Sequence, residues 1–351
     1  MRAGVFRAIR QIEVEEVPEP SPGPTDIVLR VDACGICGSD LHSFTHGSFI
    51  KPGQIMGHEF AGEVAEVGKE VEGIRVRDRV TALPLVACGQ CPRCQEGNTH
   101  LCETGLAASI AYGLPGAFAD YVRVPNAKLG ESVFRLPDDL SPEEGALVEP
   151  LSVALHAVKI AGVRQGDTVV VIGLGTIGQG VVQVAKALGA AKVIGTDVSK
   201  LRLDTAAELG ADSSIDANAR DPLTAVREIT GPGAYDVGAR ADVVFECSGV
   251  SKMLPQAIQM VRHGGKLAAT ALYDEPVPID ATMIVQKEMR FFGTFAYSSR
   301  DFAEAIDMIC SGRVRTAPLI THRFSLDRVQ EAFEAQLLRD QAVKVLVEPA
   351  R

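Results

Sequence analysis

Eight cysteines stand in the 351 residues, and six of them fall in two short stretches whose spacing could make them act together. Cys88, Cys91, Cys94 and Cys102, in CGQCPRCQEGNTHLC, place four thiols within fifteen residues. Four thiolates at tetrahedral corners satisfy Zn²⁺ completely and leave no position for a substrate, so this cluster is expected to be a structural zinc site. A loop this rich in Gly, Gln, Arg, Pro and Asn has too few apolar residues to fold without such a clamp. Cys34 and Cys37, in ACGICGSDLH, have C-x-x-C spacing with three possible chemistries: a redox dithiol, half of a zinc cage, or one metal ligand joined to a proton path. His58 and Glu59 in IMGHEFAGEV and Glu149 in ALVEPLSV add an imidazole and two carboxylates. None stands out alone, yet with Cys37 they supply the Cys, His and carboxylate that an open catalytic zinc requires.

A second chemistry lies further along the chain. Gly173, Gly175 and Gly178 form GLGTIG, directly after the strand-like TVVVI and before a helical run. In that context the first glycine permits a tight turn and the second lets backbone approach a pyrophosphate. The third lets helix and strand pack closely, with the helix N-terminus facing the phosphates. Asp197, nineteen residues beyond Gly178, ends the strand-like KVIGT, where its carboxylate can accept from ribose hydroxyls and would repel a 2′-phosphate; NAD is favoured over NADP. Arg202 could stack on adenine or, in another geometry, pair with a 2′-phosphate. Thr176, Ile177, Cys247 and Phe295 are counted with the cofactor-binding residues.

The elements that position these groups follow from texture. Up to about Leu151, period-2 stretches such as DIVLRVDA and FAGEVAEVGKEV alternate with Pro and Gly clusters, predicting a twisted β-rich domain. From Gly166, short β-branched runs alternate with helical patterns, predicting parallel strands with crossover helices in an open doubly wound sheet. A helix over LDRVQEAFEAQLL and a strand over KVLVEP are expected to return to the first domain. The formal charge of -10, with no dense Lys/Arg run, argues against nucleic acid as a partner. The N-terminal stretch lacks a signal pattern, and no apolar run reaches the roughly 18 residues of a membrane span, so no membrane partner and a cytoplasmic location are expected. In that reducing compartment, metal ligation or inert burial explains the thiols better than disulfides.

CGICGSDLH, GHEFAG, the four-cysteine lobe, EPLSVA and GLGTIG, in this order, resemble the zinc-dependent medium-chain alcohol and polyol dehydrogenases over essentially the whole chain. The similarity is greatest to the sorbitol, butanediol and threonine dehydrogenase branch. The resemblance implies an α/β protein: a GroES-like β-rich catalytic domain over 1–152 with the structural-zinc lobe at about 86–104, a Rossmann NAD-binding domain over 153–293, and a return to the catalytic domain over 294–351. It implies two Zn²⁺ per chain, with the catalytic one in the cleft between the domains and held by Cys37, His58 and either Glu59 or Glu149. Cys34 is then a buried bystander, and a redox pair is disfavoured because it would leave His58 and the glutamates unexplained. A proton relay is implied from the substrate through Ser39 Oγ to His42, with hydride passing to NAD.

By motif order, Phe44, His46, Phe118 and Tyr297 are expected around the substrate pocket. Polyol enzymes of this resemblance carry an Arg-Tyr pair after the G-x-F strand; here GTFAYSS has Ala296 before Tyr297, which removes a polar anchor for a long polyol. The expected function is hydride transfer between a secondary alcohol, diol or polyol and NAD, by a homo-oligomer, a tetramer or dimer. The alternatives are an L-threonine-type dehydrogenase, which needs a carboxylate-binding group not identified in the sequence, and a non-catalytic NAD-binding protein, which has no need of an open metal site.

Overall fold

The alternation in DIVLRVDA does what period-2 patterning requires: Ile27, Leu29, Val31 and Ala33 are all buried, while Arg30 between them is exposed. The computed structural model describes residues 1–350. The chain divides into two units, the first gathering Met1–Ser152, Tyr297–Cys310 and the chain from Thr316 on, the second Val153–Ala296 and Ser311–Arg315.

In the first unit, β1 (Arg2–Ala8) and β2 (Gln11–Glu16) form an antiparallel pair. β3 (Ile27–Gly35), β4 (Glu59–Val67), β5 (Arg79–Ala82), β6 (Tyr121–Val124) and β7 (Val133–Arg135) belong to a larger sheet centred on β3, which pairs antiparallel with both β4 and β6. The β3–β4 register sets Gly35 opposite Glu59 and Cys34 opposite Phe60. The stretch between these two strands carries the helix Gly38–His46, so the chemistry-bearing residues of ACGICGSDLH and MGHEF converge at one end of one strand pair.

The second unit is a six-stranded parallel sheet of β8 (Thr168–Ile172), β9 (Lys192–Asp197), β10 (Ser213–Asp216), β11 (Ala241–Glu246), β12 (Val261–Ala269) and β13 (Arg290–Gly293), in the order β10-β9-β8-β11-β12-β13. This is the doubly wound Rossmann arrangement, with its strand order reversing between β8 and β11. Its core is aliphatic, including Val170, Ile172, Ile194, Val244, Ile258 and Leu267.

The last strands, β14 (Ile320–Ser325) and β15 (Lys344–Glu348), join the first unit's sheet, β15 lying against β3 with Leu346 opposite Gly35. The predicted helix over LDRVQEAFEAQLL forms as Val329–Leu337. The sequence places a single return to the first domain at residue 294, but the structure places it at Tyr297 and sends Ser311–Arg315 back to the second unit. There the Arg315 N–H donates to Gln183 Oε1 (2.8 Å) while Gln183 Nε2 donates to the Arg315 carbonyl (3.2 Å), a paired bond that periodicity does not signal. Among the described residues, no helix is long and apolar enough to cross a membrane.

Candidate active site

Cys37 stands at the N-cap of the helix Gly38–His46, and Asp40 in its first turn accepts from the Cys37 N–H through Oδ2 (2.9 Å). The other Asp40 oxygen lies 3.6 Å from His58 Nδ1 and accepts from the Gly57 N–H at 3.4 Å. Asp40 therefore stands on the Nδ1 side of the imidazole, close enough to attract it but beyond hydrogen-bond distance, and leaves Nε2 for a metal. One ligand atom each from Cys37, His58 and Glu59 lie within 4.8 Å of one another.

Glu59 is fully buried, and its Oε2 is 2.5 Å from Nζ of Lys344, which also donates to the Ile36 carbonyl at 2.9 Å. Gly35 opposite leaves the room, since a Cβ there would come within 2.1 Å of Glu59 Oε2. Glu149, on the helix Val148–Ala161, is buried nearby and accepts from the Tyr297 hydroxyl at 2.8 Å. Burial, with the Glu59 charge adding to it, pushes the Glu149 carboxyl up to about 7. Burial also raises the Tyr297 phenol, and Glu149 adds to the effect. For Lys344 burial works downward, but Glu59, with Cys37 and Glu149 adding to it, outweighs that and raises the ammonium's pKa. Glu59, Glu149 and the Cys37 thiol thus gather around the Lys344 ammonium, with Asp40 beside His58. A sulfur, an imidazole nitrogen and a carboxylate oxygen brought within 4.8 Å of one another fit the mixed donor set of a Zn²⁺ ion.

Ser39 is half-buried and its Oγ accepts from the Tyr112 hydroxyl at 2.9 Å. His42 is half-buried one turn along the same helix, its ring 5.8 Å from that of the exposed His46. Cys34 is fully buried, and burial raises its thiol well above the ordinary range, so it stays protonated and apart from the ligand group. Three aromatic expectations are corrected. Phe44 and Phe118 do not wall a pocket; both are completely buried and pack against Phe333, with ring centroids 5.0 and 5.3 Å away. Tyr297 is likewise buried, with its hydroxyl committed to Glu149.

The four cysteines of the lobe come together with sulfurs within 4.8 Å. Cys88 Sγ accepts from the N–H groups of Gln90 (3.4 Å) and Cys91 (3.3 Å), and Cys102 Sγ from that of Cys88 (3.3 Å). That last bond draws the Cys102 thiol down to about 6, while desolvation and the Cys91 side chain push the Cys94 thiol up to about 12, so the four sulfurs are unequally ready to ionise. From Ala87 to Thr104 no residue is buried, so the lobe lacks an apolar core of its own.

In the second unit, Gly173 ends β8 with φ +86°, and a Cβ there would meet Ser248 at 2.8 Å. Gly175 caps the helix Thr176–Ala187, which carries Thr176, Ile177 and Gly178 in its first turn, and a Cβ on Gly175 would lie 3.9 Å from Arg202 Nη1. Asp197 is mostly buried at the end of β9. Its carboxylate accepts from the N–H groups of Leu174 (2.6 Å), Val198 (2.7 Å) and Ser199 (2.9 Å), tying the strand end to the glycine turn. Of the roughly four lone-pair sites of a carboxylate, one is left for a ribose hydroxyl. Cys247 follows β11 with Thr270 Oγ1 at 3.0 Å, its thiol pushed up by burial to about 12, and Phe295 is exposed.

Two family models match, the alcohol dehydrogenase GroES-like domain over residues 23–138 and zinc-binding dehydrogenase over 176–311. A sorbitol dehydrogenase of Bacillus subtilis (strain 168) is 36% identical, over 100% of this chain and 98% of its own. The chain belongs to the zinc-dependent medium-chain dehydrogenases. Two solved relatives fit over 99% of both chains with TM-score 0.87: the 2R,3R-butanediol dehydrogenase of B. subtilis, 35% identical, and a zinc-binding dehydrogenase of Sinorhizobium meliloti 1021 bound to NADP, 34% identical. This medium-chain dehydrogenase is therefore a zinc- and NAD(P)-dependent oxidoreductase of alcohols, built from a GroES-like and a Rossmann domain.

Sequence reasoning missed three residues of this dehydrogenase's site. Asp40 was in view inside CGSDLH and could have been found from the need of a ligating histidine for a carboxylate support. Lys344 and Tyr112 carry no local signal: one opens an ordinary strand, the other sits in a loop.

Proposed function

We propose that this dehydrogenase oxidises a secondary alcohol, diol or polyol with NAD, and that the convergence of Cys37, His58 and Glu59 beside Ser39 carries that reading. In it, Cys37, His58 and one carboxylate, Glu59 or Glu149, hold the catalytic zinc, and Cys88, Cys91, Cys94 and Cys102 hold a second, structural zinc. Zinc when bound supplies Lewis acidity toward the substrate hydroxyl, and NAD when bound accepts the hydride. Asp40 flanks His58 on its Nδ1 side, and Lys344 supplies the counter-charge to Glu59 in its dry surroundings. Ser39 takes the substrate's hydroxyl proton at Oγ and passes its own toward His42, whose two ring nitrogens let it accept on one side and release on the other.

Gly173, Gly175, Thr176, Ile177 and Gly178 cradle the pyrophosphate, Asp197 accepts from the adenosine ribose and Arg202 flanks it. The unused acceptor site of Asp197 supports NAD over NADP. The relatives that act on sorbitol and 2R,3R-butanediol support the substrate class. Ala296, where a guanidinium would anchor distal hydroxyls, favours short diols over long polyols within it. A cytoplasmic homotetramer completes the reading, eight cysteines with no disulfide among them suiting a reducing compartment.

The test is a panel of diols, polyols, cyclitols and hydroxy amino acids followed by NADH absorbance, with NADP as the second coenzyme. Turnover of 2,3-diols with NAD is expected; turnover confined to hydroxy amino acids would overturn the substrate class, and a preference for NADP would overturn the role of Asp197.

A further inference from the structure

We propose that Tyr112 is a positioning residue for proton transfer: its phenol holds the Ser39 hydroxyl in the orientation from which Ser39 can take the substrate's proton and release its own toward His42. This rests on the Ser39–His42 relay proposed above. The Tyr112 hydroxyl lies 2.9 Å from Ser39 Oγ. A phenol is far more acidic than an aliphatic alcohol, so Tyr112 donates and Ser39 accepts. A serine oxygen has one proton and two lone pairs. With one lone pair occupied by Tyr112, the other is left to receive a proton from the substrate, and the serine O–H is left to give one away. The opposite arrangement, Ser39 donating to the phenol, would spend the one proton the relay must pass on.

The loop that delivers Tyr112 is built to hold it still. The Ser109 carbonyl accepts from the N–H groups of Tyr112 (3.3 Å), Gly113 (2.9 Å) and Leu114 (3.0 Å). Ala111, just before the tyrosine, sits in the left-handed region at φ +73°, a strained conformation for a residue with a side chain. Gln54 Nε2 donates to the Tyr112 carbonyl at 2.9 Å. At Gly113 a Cβ would come within 1.7 Å of the Ala107 carbonyl oxygen, so the chain packs too closely there for any other residue. The Tyr112 ring leans on His58, centroids 5.5 Å apart and tilted by 40°, so the phenol is braced between a candidate metal ligand and the serine.

The experiment compares wild type, Tyr112→Phe, Ser39→Ala and the double variant as zinc-loaded full chains, with NAD and 2,3-butanediol as probe alcohol. Phenylalanine keeps the ring against His58 and deletes only the donor. The expected result for Y112F is a kcat lower by about tenfold with KM changed by less than about twofold, the loss of one well-placed hydrogen bond. Its solvent deuterium isotope effect on kcat should rise, and a crystal structure should show Ser39 in more than one rotamer. In the S39A background the same change should alter kcat by less than about twofold, because the two residues act as one unit. Wild-type kcat in Y112F, or an equal loss with and without Ser39, overturns the proposal. Normal turnover in S39A overturns the relay itself, whereas a slow S39A beside a normal Y112F overturns only the role of the tyrosine.

Discussion

Nζ of Lys344 lies 2.5 Å from Oε2 of Glu59, and neither side chain is more than 2% exposed. A fully buried ion pair is costly to break from one side, since the surviving charge is left without solvent or partner. In metal-free protein, Lys344→Met should destabilise the first unit by about 3 to 5 kcal/mol. A dication beside Glu59 replaces the missing charge, so the loss should shrink when zinc is present. Urea unfolding of both proteins with zinc and with EDTA measures this, and an identical loss in the two conditions would refute the compensation.

Between Ala87 and Thr104 nothing is buried, so the lobe has no apolar core, and in the proposed reading a zinc ion on the four thiolates clamps it. Cys94→Ser should lower zinc content from two ions per chain to one, measured by elemental analysis. Trypsin should then cut at the exposed Arg93 at least about tenfold faster, as expected when a metal-dependent fold is lost. Resistance equal to wild type would show that the lobe folds without its clamp.

Gly173→Ala places a Cβ 2.8 Å from Ser248 on a residue with φ +86°. The turn must shift, and NADH affinity, read by fluorescence, should fall by at least about tenfold with a stability loss of roughly 2 kcal/mol. Gly166→Ala is the control: its φ is +93° and its Cβ would meet nothing within 4 Å. It should lose about 1 kcal/mol without a change in NADH affinity.

Asp212 accepts from the Val193 N–H at 2.7 Å and from Lys186 Nζ at 3.0 Å. Burial alone would raise its carboxyl, but the Val193 N–H and Lys186 outweigh it and hold it below the usual carboxylate range. A carboxylate depressed on folding stabilises the protein above its unfolded pKa of about 3.9, and that stability is lost as pH falls through the folded value. Both partners are about a third exposed, which limits the effect. Asp212→Asn should therefore cost about 1 kcal/mol at neutral pH. The gap between the two melting curves should narrow as pH falls below the unfolded value and close once it has passed the lowered folded one. A gap that widens on acidification would contradict the assignment.

What the sequence made legible was local. The glycine turn could be read because GLGTIG, the strand before it and the helix after it are contiguous, and the four-cysteine lobe because its ligands lie within fifteen residues. Cys37, His58 and Glu59 could be suggested together, but it is the β3–β4 register that brings them within reach. Phe44 and Phe118 show the limit of motif order. Proximity to ligands in sequence does not say which face a ring takes, and both rings turn inward to Phe333, which is contributed by a helix nearly three hundred residues after Phe44. Asp197 was legible as a carboxylate at a strand end but not as an acceptor for three backbone N–H groups, because that depends on how close the Leu174 turn passes. Lys344 was silent because a lysine opening KVLVE reads as a solvated strand end until β15 is known to lie against β3.

The seat of Lys344 also carries a demand on timing. Its partner Glu59 precedes it by 285 residues, so a nascent chain leaving the ribosome exposes Cys37, His58 and Glu59 long before their counter-charge has been translated. At roughly 5 to 20 residues per second that interval lasts about 15 seconds to a minute, during which the acidic cluster must stay hydrated. The Glu59–Lys344 pair can therefore close only once the C-terminal strand has been made.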